Sequence, residues 1–137
     1  ENLMTALSSY AERKVLDLLF KNTSFTAPQA YIGLFTTDPT DSASGTEASG
    51  SGYARIRIDN KMSSATANSD NSQITNSSAI TFAAASGGAF GTITHIGIFD
   101  ASSSGNLLAH GALAASKTIA DGDTFQINAS GLVITID

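Results

Sequence analysis

Two histidines, His95 and His110, are the residues of this 137-residue chain whose type best suits chemistry. Imidazole is the commonest metal ligand and a frequent general base, so a pair brought together by folding would matter. Each lies in an apolar, strand-like run, and the two runs are separated by the Ser/Gly segment Ala101-Ser102-Ser103-Ser104-Gly105. If that hairpin places Phe99 opposite Leu107, the two rings stand one position out of step and face opposite sides of the sheet. A one-residue change of register would bring them together. Even then a zinc site needs a third and a fourth ligand, and the sequence offers no helical His pair and no His-x-His. Asp38 with Asp41, and Asp121 with Asp123, are close enough in sequence to ligate calcium from a loop. Neither pair fits the Asp-x-Asn-x-Asp-Gly pattern with a distal Glu. Turn formation accounts for all four carboxylates.

The remaining candidates are weaker. Paired acids of the glycosidase type need a cleft that the sequence does not define. Serines are abundant, but none lies in Gly-x-Ser-x-Gly, so a hydrolase triad has no anchor. Gly87-Gly88-Ala89-Phe90-Gly91 resembles a phosphate loop only in its glycine content; no Lys-Ser/Thr follows and no helix opens after it, so it is read as a bend. Asn22-Thr23-Ser24, Asn76-Ser77-Ser78 and Asn128-Ala129-Ser130 fit the glycosylation sequon, as chance allows in a chain rich in Ser and Asn. The absence of cysteine removes disulfides, thiolate ligands and thiol nucleophiles. The expectation is therefore no catalytic, cofactor-binding or metal-binding residue, no cofactor, and no enzymatic activity.

Among the elements that would position these residues, Ile93-Thr94-His95-Ile96-Gly97-Ile98-Phe99-Asp100 is the densest run of β-branched and aromatic residues. Ile93, Gly97 and Phe99 fall on one face and Ile96 and Ile98 on the other, as expected of a central strand covered on both sides. Gly97 in mid-strand marks a bulge or the close approach of a large ring. Tyr31-Ile32-Gly33-Leu34-Phe35-Thr36 repeats the pattern, so the two strands should play matching parts in one core. Leu3, Leu7, Tyr10, Val15 and Leu18 draw a helical stripe that predicts one helix over residues 5–21. Asn2, Thr5 or Ser9 could cap it, Ser9-Tyr10-Ala11-Glu12 fits a capping box that would start its well-formed part near Tyr10, and Lys21-Asn22 closes it. This helix either packs on its own sheet or reaches a neighbouring subunit.

Asp38-Pro39-Thr40-Asp41 ends the strand that begins at Ala30. Residues 41–52 form a Ser/Gly/Ala loop expected to be exposed and mobile, so that removing residues 43–50 should leave the fold intact. Tyr53-Ala54-Arg55-Ile56-Arg57-Ile58-Asp59 alternates, with Ala54, Ile56 and Ile58 inward and both Arg residues solvated or paired with carboxylates. Residues 60–72 look irregular. Short strands are expected around Ile74, Ile80 and Ile119, and Thr124–Ala129 should pair with Leu132–Ile136 across Ser130-Gly131. One helix and about eight short strands, punctuated by turns, predict an all-β chain, an antiparallel jelly roll or β-sandwich over residues 30–137, in a single domain spanning 1–137.

Composition narrows the partners. Only 14% of residues are charged, against a typical ~25%. A net charge of −5 with 7 Lys and Arg excludes the basic face that nucleic acid or an anionic membrane requires. No run is long enough to span a bilayer, and no segment reads as a signal peptide. Such a weakly charged, β-rich surface suits contacts with other proteins or other copies.

The motifs resemble, in order, a family of small tailed-bacteriophage virion structural proteins. The resemblance is carried by Tyr31-Ile32-Gly33-Leu34-Phe35-Thr36-Thr37-Asp38-Pro39 and Glu47-Ala48-Ser49-Gly50-Ser51-Gly52-Tyr53-Ala54-Arg55. It continues through Ala79-Ile80-Thr81-Phe82, Gly91-Thr92-Ile93-Thr94-His95-Ile96-Gly97-Ile98-Phe99-Asp100, Asn106-Leu107-Leu108, Gly111-Ala112-Leu113, Ser116-Lys117-Thr118 and Gly122-Asp123-Thr124. Some members are labelled tail-fibre proteins, and the family is similar to the jelly-roll cement, or decoration, proteins of short-tailed phage heads. The resemblance implies a protein made in the bacterial host cytoplasm and carried on the outer surface of the capsid. There it would bridge major capsid protein subunits, self-associate as a dimer or trimer, and stabilise the mature head. A tail or tail-fibre component in contact with a receptor is the alternative it implies.

Overall fold

The computed structural model describes residues 3–136. In chain order the elements are β1 (Leu3–Leu7), α1 (Ser9–Phe20), β2 (Tyr31–Phe35), β3 (Ile56–Arg57), a single 3-10 turn (Asp59–Lys61), β4 (Thr66–Asn68), β5 (Asn71–Thr75), β6 (Ile80–Thr81), β7 (Gly91–Phe99), β8 (Leu107–Ile119), β9 (Gln126–Ile127) and β10 (Leu132–Ile136). Eight strands form one sheet in the order β3-β2-β7-β8-β1-β10-β5-β4, and β6 pairs with β9 in a second. The chain is an all-β sandwich with one helix among the described residues. The small sheet lies over the large one, and Ile80, Phe82, Phe125 and Ile127 meet Ile32, Leu34, Ile96 and Ile98 in a shared core.

The expected central hairpin is present, with β7 antiparallel to both β2 and β8. The two repeated motifs are direct neighbours, and Gly33 stands opposite Gly97. A Cβ at Gly97 would lie 2.9 Å from the Phe35 ring and 3.0 Å from the Phe99 ring. This is the close ring approach that the mid-strand glycine predicts. Ile93 departs from its predicted face, because a register irregularity between Ile93 and His95 turns it into the core beside Ile96 and Ile98.

Three expectations are corrected. The helix begins at Ser9, not near residue 5, because residues 3–7 form a strand. A spacing of four, as from Leu3 to Leu7, satisfies both a helical face and a strand face, so the sequence stripe ran through the break. Ser8, rather than Thr5 or Ser9, caps the helix: its Oγ accepts from the Ala11 N–H at 3.2 Å and donates to the Leu107 carbonyl. Asn2 lies outside the described residues.

The second correction concerns the last two strands. β9 pairs with β6, while β10 runs antiparallel to β5 and parallel to β1, the one parallel pair among the described strands. The buried side chain of Asn76 holds the chain open between β9 and β10. Its amide donates to the carbonyls of Asn128 and Ser78, both at 2.9 Å, and its Oδ1 accepts from the Leu132 N–H at 2.9 Å. With Ser130 at a φ of 64°, the chain passes from the small sheet to the large one instead of folding back on itself.

Third, the segment after β2 is pinned. Thr36 N–H donates to Thr46 O at 2.9 Å and Ala48 N–H to Leu34 O at 2.8 Å, which lays residues 46–48 along β2. Ala48 is buried in the main core, so removing residues 43–50 would cost a core residue, the Glu47 carboxylate that Arg55 binds and five backbone hydrogen bonds to flanking residues. Residues 60–72, read as irregular, contain β4 at one edge of the sheet and the start of β5. Both edge strands, β3 and β4, are very short, which limits edge-to-edge pairing.

Candidate functional site

The outer face of the large sheet, away from the shared core, carries the polar residues singled out from the sequence. Phe99 pairs with Leu107 as assumed, but Ile98 pairs with Ala109, so Leu108 is an extra residue in β8. A bulge of this kind shifts every later side chain by one position. His110 therefore stands opposite Gly97, on the same face as His95. The bulge supplies the one-residue shift that brings the two histidines together.

They converge on the turn that follows β2. Thr40 N–H donates to Asp38 Oδ1 at 2.8 Å, the expected Asx turn, with Thr40 at a φ of 54°. His110 Nε2 donates to Asp41 Oδ1 at 2.7 Å, while its Nδ1 lies 3.8 Å from Asp38 Oδ1. His95 Nε2 lies 3.9 Å from Asp38 Oδ2, and its Nδ1 is 2.8 Å from Thr94 Oγ1. Both imidazoles are largely covered, whereas both carboxylates are exposed. Among the described residues no group of three or more His, Asp or Glu side chains is arranged to hold a metal ion. The cluster fastens the turn to the sheet. Asp121 and Asp123 are elsewhere: Asp123 accepts from the Ala120 N–H of its own turn at 3.0 Å, and Asp121 accepts from the Gly87 N–H at 2.9 Å, tying that turn to the segment before β7.

Beside this cluster an open groove of about 880 Å³ runs between α1, the turn at residues 40–43 and the β7–β8 loop. Ser9, Tyr10, Arg13, Asp41, Asn106 and His110 line it. Its wall mixes polar and apolar surface; Ser9 Oγ donates to Asp41 Oδ2 at a long 3.5 Å, and no pair of acids faces each other across it among the described residues.

A second constellation escaped the sequence reading. Arg55 donates from Nε to Glu47 Oε2 at 2.9 Å and from Nη2 to Glu47 Oε1 at 2.8 Å. From Nη1 it donates to the carbonyls of Ala101 and Ser104 at 2.9 and 2.8 Å. Its guanidinium carbon stands 3.7 Å from the centre of the Phe99 ring, and its side chain is 6% exposed. Tyr53 completes the group: its hydroxyl donates to Glu47 Oε2 at 2.5 Å and accepts from Leu34 N–H at 3.0 Å. Burial, reinforced by the bond to Glu47, pushes the Tyr53 hydroxyl well above the usual tyrosine range. The space is provided by Gly33, where a Cβ would stand 2.6 Å from Glu47 and 2.9 Å from the Tyr53 hydroxyl. Alternation gave both Arg residues a carboxylate or solvent, and both are paired: Arg57 with Asp59 at 2.9 Å at the surface, Arg55 in the interior. The only sequence signal for the interior group was the short distance from Glu47 to Tyr53 and Arg55.

The least covered part of the surface is apolar. Of the helix, only Ala11 is buried; Leu16, Leu18, Leu19 and Phe20 are exposed, Phe20 at 81% and Leu19 at 65%. No helix among the described residues is long and apolar enough to cross a membrane.

A family model described as Podophage GP4 fiber I protein gp80 matches residues 6–135. No curated protein matches the chain. The match covers the sandwich, the helix and every constellation above, so the chain belongs to the podophage GP4 fiber I protein gp80 family and is a structural protein of the phage virion.

Proposed function

We propose that the chain is a non-enzymatic subunit of a virion fibre, held in its assembly by the exposed side of α1. The observation that carries this reading is the bare helix. An apolar row ending in Phe20 would be a liability on a free protein and is the ordinary form of a surface that another protein covers. The polar groups elsewhere are engaged in holding loops to the sheet, which supports a structural rather than a catalytic role. The family's description as a fiber protein favours the fibre over the head.

The second reading is a capsid cement protein that bridges major capsid protein subunits on the outer surface of the head. It is favoured by the burial of Phe35, Phe82, Phe90, Phe99 and Phe125, which leaves few aromatic rings for a receptor. A small domain seated across a junction gains from each second contact being effectively intramolecular. Immunogold labelling of intact virions with serum against this chain separates the two. Gold confined to fibres or the tail is expected. Gold spread over the head at high copy would establish cement, and no labelling would remove the chain from the virion surface.

A further inference from the structure

The exposed half of α1 adjoins an apolar depression. Leu16, with Leu7 and Ile136, lines a groove of about 320 Å³ between the helix and the end of the sheet. That groove shares Leu7, Thr135 and Ile136 with a second, of about 200 Å³, whose wall is almost wholly apolar and also includes Ile74 and Ile134. Cross-strand pairing of Ile134 with Ile74 puts both on one face, the face on which Leu132 enters the core. Phe20 follows Leu16 by one helical turn, so the protruding ring and the apolar hollow lie on the same side of the helix.

We propose that this surface is a two-fold interface with a second copy of the chain, each copy seating Phe20 in the other's groove at Ile74, Ile134 and Ile136. Three observations select a second copy. Knob and hollow belong to the same molecule and lie side by side, which is the requirement for an isologous, closing contact; placed on opposite sides they would build an open filament. The exposed side chains of Leu16, Leu19, Phe20 and Ile136, with the apolar groove wall beside them, present on the order of 500 Å² of carbon surface, so two copies together would bury about 1,000 Å², the lower range of specific interfaces. The helix also carries both signs of charge, with Glu12 in its first turn and Lys21 at its C-terminal cap. An antiparallel pair of helices brings Glu12 of one copy to Lys21 of the other, so the rim attracts where a uniformly charged helix would repel.

The inference deepens the reading of α1 as an assembly element and needs no knowledge of where the virion carries the chain. The test uses the isolated protein, so its failure is distinct from a failure of the labelling experiment. Sedimentation velocity at about 10 µM is expected to give a dimer for the native sequence. Phe20→Glu and Ile136→Lys should each raise the dimer dissociation constant by at least about thirty-fold, as loss of a central anchor does. Thermal melting and circular dichroism should match the parent, since both positions face solvent. Mixing the two variants in equal amounts should restore the dimer. In the mixed pair one native knob meets an unaltered groove, and at the other end the introduced carboxylate meets the introduced ammonium. A monomeric native chain would overturn the proposal. So would variants that stay dimeric, or a mixture that stays monomeric.

Discussion

The paired glycines Gly33 and Gly97 decide what the outer face of the sheet can hold. With no Cβ on either, the Phe35 and Phe99 rings stack 5.9 Å apart across the gap, and Arg55, Glu47 and Tyr53 close over them. Arg55 is a cation almost out of water, and its stability depends on Glu47 and two loop carbonyls. Removing one member of a buried pair leaves the other uncompensated, at a cost of about 3–5 kcal/mol. Arg55→Ala is therefore expected to lower the unfolding free energy by that amount, as urea denaturation would record. Tyr53 gives the site a pH dependence of defined sign. Its folded-state proton is held more tightly than in the unfolded chain, so the stability it contributes is complete below about pH 10, the ordinary tyrosine value. Above that, the unfolded state releases a proton that the folded state keeps, and stability falls as pH rises. Denaturation at pH 8 and at pH 11 should show a smaller alkaline loss in Tyr53→Phe than in the native chain.

At the scale of elements, Asn76 governs how β5, β6, β9 and β10 are connected. Its side chain completes three hydrogen bonds inside the protein, and Asn76→Ala would strand two carbonyls and the Leu132 N–H. A loss of about 3 kcal/mol or more is expected, at roughly 1–3 kcal/mol per unpaired buried group with partial relaxation. Thermal melting would measure it, and Asn76→Asp, which turns a buried carboxylate oxygen toward the same two carbonyls, should cost at least as much at pH 7. The hairpin of β7 and β8 and its likeness to β2 were legible because runs of Ile and Phe around a mid-strand Gly specify a pleated, doubly covered strand. The start of α1 was legible only in the capping-box pattern, which put its well-formed part near Tyr10; the leucine stripe misplaced it, since a spacing of four fits both periods. The pairing of β9 with β6 escaped as well, because proximity in sequence favoured the hairpin with β10 and a single buried Asn decided otherwise. The two histidines were identified as residues, but their meeting depends on one bulge at Leu108, which no local pattern announces.

For the whole molecule, the layered β architecture followed from turn spacing and alternation, whereas the parallel contact between the first and last strands did not. Nothing local specifies a pairing between residues 3–6 and 132–135; it is selected only when the rest of the sheet has formed. Much of the sheet is likewise joined by distant segments, which places the chain among the slower-folding topologies. The surface divides by chemistry: a mixed groove beside the Asp38–His110 cluster, whose polar groups are paired, and an apolar helix end beside the β10 terminus. The first is satisfied within the chain, while the second is left for something outside it.

The parallel alignment of β1 with β10 also sets how the protein bears a load. Tension applied at residue 3 and residue 136 draws the two strands past each other along their length. Their ladder is then strained all at once, as a seam in shear, where a hairpin arrangement would open one bond after another like a zip. The side-by-side bonds to β8 and β5 clamp the same two strands from outside. Rupture under force is governed by the barrier to unfolding rather than by equilibrium stability. A chain joined this way can bear tension between residues 3 and 136 while remaining only ordinarily stable in solution.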